Sequence, residues 1–168
     1  LDTDSTAGGV EIVISTEESG VWYVHAADVD GDGDMDVLSG YDYGMIWWEN
    51  DGSQGFTEID YITGAEESPT SYFVADVDGD GDVDVLASKD NNFGNGISWY
   101  KNNGEGVFNS SNHVGFPPME PTSVSAADVD GDGDMDVLVA GTGDCAIVWY
   151  ENDGSENFSS NDIIMGGN

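Results

Sequence analysis

One eight-residue motif, Ala-Asp-Val-Asp-Gly-Asp-Gly-Asp, occurs three times in this chain, at 27–34, 75–82 and 127–134. Each copy continues with Met or Val and then Asp-Val-Leu. Self-similarity of this kind is the signature of repeat architectures, in which each repeat forms one supersecondary unit. The motif therefore predicts an array of similar units stacked on one another.

A second motif follows each aspartate motif and ends in glycine. It reads Trp-Trp-Glu-Asn-Asp-Gly at 47–52, Trp-Tyr-Lys-Asn-Asn-Gly at 99–104 and Trp-Tyr-Glu-Asn-Asp-Gly at 149–154. A Phe follows four residues after each of these glycines, and an aliphatic residue follows six residues after the Phe. These landmarks divide the chain into an N-terminal segment, three units and a tail: 1–14, 15–62, 63–114, 115–164 and 165–168.

Each unit is predicted to contain four β-strands. Short β-prone runs alternate with Gly, Asn and Asp, and helical periodicity is missing. Asn50-Asp51-Gly52 is a hairpin signal because these residues tolerate positive φ. Four short strands in a unit of about 50 residues are typical of propeller blades. The predicted fold class is therefore all-β, with three four-stranded propeller-type blades. In the first unit we expect strands at 21–27, 35–39, 45–49 and 56–62.

Both faces of each blade are predicted to be apolar, as expected for sheets stacked against neighbours on each side. Strand alternation places Ile46 and Trp48 on one face and Trp47 on the other. The aromatic positions recur at the same place in every unit, which favours a core role over sugar-stacking platforms. The single cysteine, Cys145, excludes an internal disulfide framework and is predicted to be a small core residue.

The N-terminal segment repeats only the end of a unit. Ile14 lies as far before Asp28 as Ile62 lies before Asp76. We therefore predict a spare strand at 8–14 with no blade of its own. A spare strand could complete a blade in a neighbouring copy, and such a head-to-tail contact makes a ring or a filament. The alternative is that the chain is a fragment of a longer propeller.

The aspartate motifs are predicted to be calcium sites, one per unit. Carboxylates occupy positions 1, 3, 5, 7 and 9 of each nine-residue loop, and glycine at position 6 permits a sharp turn. Calcium takes six to eight oxygen ligands, whereas Mg²⁺ prefers tight octahedral sites that retain water. We expect positions 1, 3, 5 and 9 to supply side chains and position 7 a backbone carbonyl, its side chain pointing outward. The candidate metal residues are Asp28, Asp30, Asp32, Asp34, Asp36, Asp76, Asp78, Asp80, Asp82, Asp84, Asp128, Asp130, Asp132, Asp134 and Asp136.

The loops are not EF-hands. An EF-hand has a bidentate Glu at position 12, where this chain has Ser39, Ala87 or Val139. A β-prone Val-Leu pair precedes that position in each unit, so we expect each loop to join two strands.

On the aspartate loop and the Trp-Tyr-Glu-Asn-Asp-Gly motif, the chain resembles the FG-GAP/VCBS class of repeats. That class is found in extracellular bacterial proteins and, more distantly, in integrin α-subunit propellers. The resemblance covers residues 15–164 and implies β-propeller blades with one Ca²⁺ per loop. It implies no single activity, because such repeats occur in adhesins, in surface proteins and as appendages of hydrolases and lyases. Related propellers usually have about seven blades, and this chain has three.

Charge excludes several classes of partner. The chain has 35 Asp and Glu against two Lys and no Arg, for a formal net charge of −33. Nucleic-acid binding needs a basic surface, and anionic membranes attract Lys and Arg clusters. No apolar run approaches the roughly 18–20 residues that span a bilayer. We therefore expect neither nucleic-acid binding nor membrane insertion.

Catalysis is not expected either. The chain has two histidines, and no nucleophile elbow, zinc-protease motif or phosphate loop is present. His25, next to the first aspartate motif, is predicted to be a strand residue and not a base. Acidic pairs of the glycosidase kind are not excluded by composition, but the repeat already explains the abundant aspartate.

The sequence thus predicts a non-catalytic, calcium-binding repeat protein that is secreted or held at the cell surface. Its predicted role is structural or adhesive, with other copies of itself as partners. One alternative is a glycan- or protein-binding propeller fragment of a larger adhesin. Another is an accessory module of a polysaccharide-degrading enzyme. Asn109 and Asn157 begin Asn-x-Ser triplets and are candidate glycan acceptors.

Overall fold

Every regular element in the described part of the chain is a β-strand, which confirms the predicted all-β class. The computed structural model describes residues 11–16, 20–63, 69–89, 96–109, 112–116, 120–143 and 145–164. The strands are β1 (Tyr23–Ala27), β2 (Asp36–Tyr41), β3 (Gly44–Asn50), β4 (Phe56–Tyr61), β5 (Pro69–Ala75), β6 (Asp84–Lys89), β7 (Gly96–Tyr100), β8 (Asn112–Gly115), β9 (Pro121–Ala127), β10 (Asp136–Gly141), β11 (Ala146–Asn152) and β12 (Phe158–Ile164). Among these residues, no helix is long and apolar enough to cross a bilayer.

The strands form three four-stranded sheets, each an antiparallel meander of consecutive strands. Sheet 1 holds β1–β4, sheet 2 holds β5–β8 and sheet 3 holds β9–β12. All four strands predicted for the first unit are present, with small changes at their ends. The second extends to Tyr41 because a two-residue turn at Asp42 and Tyr43 lets the ladder continue to Gly44. The first begins later, at Tyr23.

Sheets 1 and 2 pack face to face through one buried cluster. Trp47 and Leu38 of sheet 1 contribute to it from one side, and Val85 and Tyr100 of sheet 2 from the other. A β-carbon on Gly106, in the hairpin turn of sheet 2, would collide with the Trp47 ring, so the two sheets approach closely there. The prediction that Trp47 is a core residue is confirmed, since 6% of its surface is exposed.

Sheets 2 and 3 repeat this arrangement. Leu86, Ile97 and Trp99 lie on the opposite face of sheet 2 and pack with Val137 and Tyr150 of sheet 3. Thus sheet 2 is buried on both faces. The predicted alternation is confirmed, because residues one apart on β7 join two different clusters.

The outer face of sheet 1 carries a third, smaller cluster. It is built from Tyr41, Ile46 and Trp48, and Ile14 packs against it. Residues 11–16 form no strand, so the predicted spare strand is not formed over its described part. Residues 1–10 of that segment and the tail at 165–168 lie outside the described residues.

The prediction for Cys145 is wrong, because its side chain is exposed. Cys145 lies just before β11, in the connection from β10, with a positive φ of 51°. Its amide donates a hydrogen bond to the Thr142 carbonyl, 3.3 Å away. The tight turn therefore holds Cys145 at the surface. The residue type alone does not indicate this exposure.

Candidate metal centre

Position 1 organises each aspartate loop. The two carboxylate oxygens of Asp28 accept hydrogen bonds from the amides of Gly31 and Gly33, at 2.8 and 3.1 Å. Asp76 and Asp128 accept the same pair of bonds in the second and third loops. Both glycines of each pair have positive φ, which glycine adopts without steric cost. The sequence therefore folds each loop around the carboxylate of its first residue.

Position 9 joins the loop to the hairpin of the same sheet. Asp84 accepts hydrogen bonds from the amides of Val77 and Asn102, at 3.2 and 2.9 Å, and from the indole nitrogen of Trp99, at 2.9 Å. Its side chain is fully buried. Burial outweighs these hydrogen bonds and raises the pKa of Asp84 to about 6. Asp36 and Asp136 make the two equivalent backbone bonds in their own sheets.

Three carboxylates converge in each loop. In every cluster, the oxygen atoms that converge lie within 4.8 Å of one another. Positions 1 and 3 take part in all three clusters, together with position 5 in the first loop and position 9 in the other two. The clusters are Asp28, Asp30 and Asp32; Asp76, Asp78 and Asp84; and Asp128, Asp130 and Asp136.

The position 7 aspartates lie outside the three clusters. The carboxylate of Asp34 lies against Gly52, where a β-carbon on that glycine would collide with it. Asp82 and Asp134 lie in the same way against Gly104 and Gly154. Position 5 is outside the cluster in the second and third loops, at Asp80 and Asp132, and position 9 is outside it in the first, at Asp36.

The first two loops lie at the junctions between sheets. The side-chain amide of Asn102, in the hairpin of sheet 2, donates to the carbonyl of Val29 in the first loop, at 2.8 Å. At the next junction, Lys101 forms ion pairs with Asp78 of the second loop and with Glu156 of sheet 3. Each of these two loops is therefore connected to a neighbouring sheet as well as to its own sheet.

The donor set fits a hard divalent cation. All clustered donors are carboxylate oxygens, which suit Ca²⁺ or Mg²⁺ and not the softer metals that prefer sulfur or imidazole. Burial and then repulsion from neighbouring carboxylates raise the pKa of Asp30. In the second loop the ammonium of Lys101 already stands against the cluster as a counter-ion. Each cluster thus has the oxygen donors that suit a calcium ion and a negative charge that the ion would neutralise.

A comparison with known protein families identifies this repeat. The model of the FG-GAP-like repeat matches residues 28–87, 76–139 and 128–168. The chain belongs to the FG-GAP-like repeat family. The first two matches each run from one aspartate loop into the strand that follows the next loop, and the third runs from the third loop to residue 168. No curated protein matches the chain significantly.

A solved structure of an Agrocybe aegerita lectin is similar to this FG-GAP-like chain. The TM-score is 0.60 at 24% sequence identity, and the match covers 83% of this chain and 37% of the lectin chain. The chain therefore spans little more than a third of that protein. The lectin structure is described as the basis for specific recognition of non-reducing terminal N-acetylglucosamine. At this identity the similarity supports the propeller-like fold alone.

Sequence reasoning missed three residues of these FG-GAP-like loops. Lys101 contacts the second loop, Asn102 crosses to the first, and Trp99 bonds to Asp84. Lys101 was detectable, because it replaces a glutamate of the other two hexapeptides. The contact of Asn102 was not, since its partner is 73 residues away in the chain.

Both candidate glycan acceptors are exposed. The side-chain amide of Asn157 donates to the Asp153 carboxylate at 3.1 Å. That bond involves the nitrogen to which a glycan would be attached. His25 lies in β1, as predicted for a strand residue.

Proposed function

We propose that this chain is a calcium-stabilised, non-catalytic propeller module with a structural or adhesive role outside the cell. The observation that carries the proposal is the threefold repetition of an aspartate loop in which three carboxylates converge and the ninth residue accepts a hydrogen bond from the hairpin. The aspartates hold the loop in shape, and a bound Ca²⁺ would supply the positive charge that they lack. The residues that would hold it are those at positions 1, 3, 5 and 9, with the carbonyl at position 7.

Calcium stoichiometry tests the proposal directly. Chelator-stripped protein titrated with Ca²⁺ in a calorimeter should bind up to about three ions per chain, as one loop binds one ion. Asp28→Asn and Asp128→Asn should each remove one ion, because position 1 belongs to every cluster. Magnesium titration is the control for selectivity. Failure of the wild-type chain to bind calcium contradicts the proposal.

Self-association is the predicted form of the structural role. Leu138 and Trp149 repeat the positions of Leu86 and Trp99, which sheet 3 covers in sheet 2. No described residue forms a sheet over Leu138 and Trp149, and both side chains are partly exposed. The covering element we propose is sheet 1 of a second copy. Each described sheet already has four strands, so an exchanged strand would add to a sheet edge and would not fill a vacancy.

Two changes test this head-to-tail contact. Trp149→Glu should lower the average mass in sedimentation analysis in calcium, because it places a charge in the proposed interface. Ser160→Glu is the matched control. Ser160 is exposed and pairs with Tyr150, whose side chain faces sheet 2, so it lies on the opposite face of sheet 3 from Trp149. Deleting 1–14 should also change the assembly if that segment reaches a neighbour. Wild-type protein that remains monomeric contradicts self-association.

A glycan-binding role is the second candidate, favoured only by the similarity to the lectin. A glycan array probed with isolated protein in calcium separates it from the structural role. Specific binding, for example to terminal N-acetylglucosamine, would favour a binding module.

A further inference from the structure

The second aspartate loop differs from the other two in one contact. The Lys101 ammonium forms an ion pair with Asp78, at position 3, and lies 3.7 Å from the Asp80 carboxylate, at position 5. The side chain of Asp78 is only 6% exposed. Water therefore screens this ion pair poorly, and a charge at Lys101 acts strongly on the loop.

The other two units have the opposite charge at the corresponding place, Glu49 and Glu151. The residue that follows the aromatic pair is therefore a cation in the second unit and an anion in the other two. Five loop aspartates and this residue together carry −6 in the first and third units but −4 in the second.

We infer that Lys101 sets the calcium affinity of the second loop, and makes it the weakest of the three sites. Its ammonium competes with Ca²⁺ for the carboxylates of Asp78 and Asp80. The inference rests on the proposed calcium-binding function. Calcium loops of similar geometry differ in affinity by orders of magnitude according to the charge of their ligands. A difference of two charges beside the ion is a change of that kind.

The structure also provides a place for the displaced ammonium. Glu156, in the turn before β12, lies 3.3 Å from the Lys101 nitrogen. A cavity of about 260 Å³ surrounds this contact, lined on the sheet 3 side by Asp134 and Asn152 among others. When an ion enters the second loop, Lys101 keeps Glu156 as a partner. Filling the second loop therefore changes the contact between sheets 2 and 3.

Calorimetric titration of the stripped wild-type chain tests the inference. We expect two tighter sites and one weaker by about tenfold or more, by the dependence of affinity on ligand charge. Asp76→Asn should remove only the weak class, which assigns it to the second loop. The difference in calcium affinity between the two classes of site should decrease in high salt, since ions screen the charge of Lys101.

Substitutions that change the charge of the residue after the aromatic pair provide matched variants for this test. Lys101→Glu should raise the calcium affinity of the second loop to that of the other two. Lys101→Met should raise this affinity part of the way. Glu151→Lys should weaken one tight site. Lys101→Met and Glu151→Lys add no negative charge, so they keep the test decisive if Lys101→Glu does not fold. Circular dichroism checks the fold of each variant.

The outcomes separate the two proposals. Three sites of equal affinity in the wild type, or a weak site unchanged in Lys101→Met, overturn the role of Lys101 but leave calcium binding intact. A wild-type chain that binds no calcium overturns both.

Discussion

Chelation of calcium should lower the melting temperature of this protein by more than about 10 °C. A ligand at about 100 times its dissociation constant stabilises the folded state by about 2.7 kcal/mol per site. In a domain of 150–250 residues, 1 kcal/mol corresponds to about 2–4 °C. Two filled loops are therefore enough for the expected change, and a third would add to it. Thermal unfolding followed by circular dichroism in calcium and in EGTA measures it.

The physical reason is the density of negative charge in the loops. Fifteen of the 35 acidic residues lie in three nine-residue segments. Without a cation, folding brings these carboxylates together and the repulsion opposes it. Sodium chloride at high concentration is the control, since it screens charge without filling a specific site. Full recovery of stability in EGTA with salt alone would indicate general screening, and an unchanged melting temperature on chelation would contradict metal-coupled stability.

Replacing Asp84 by Ala should destabilise the protein by about 3 kcal/mol or more even without calcium. The change leaves three donors without their acceptor: the amides of Val77 and Asn102 and the indole nitrogen of Trp99. Each buried donor left unpaired costs about 1–3 kcal/mol. Urea denaturation in EGTA measures the loss with no contribution from metal binding.

Asp82→Ala is the matched control, two residues earlier in the same loop. Asp82 lies outside the carboxylate cluster and against the hairpin glycine. Its removal should cost less than about 1 kcal/mol in EGTA, as most changes away from buried networks do. Equal losses for the two variants would show that position 9 does not hold the loop to the hairpin.

The local pattern of the sequence was sufficient to predict the strands and the loops. Strand alternation placed Trp47 and Trp48 on opposite faces, because successive side chains of a strand point to opposite sides. The glycines of the aspartate motif identified the turn, since they have the positive φ that the loop requires. These properties depend on neighbouring residues and are visible in a single repeat.

Contacts between repeats were beyond such reasoning. The bond from Asn102 to Val29 and the ion pair from Lys101 to Glu156 join residues brought together only by stacking of the sheets. The exposure of Cys145 and the packing of Ile14 on sheet 1 without strand pairing depend on the turn and on the neighbouring surface. Composition and periodicity contain no information on either.

The three similar all-β units, each with an acidic loop at the same place, can be predicted from the amino-acid sequence alone. The three-dimensional structure was needed to show which carboxylates converge, which loops lie between sheets, and which loop is contacted by a lysine. The reason is physical: strand formation and turn geometry follow from adjacent residues, whereas charge pairing and burial depend on the distance between residues that are far apart in the chain.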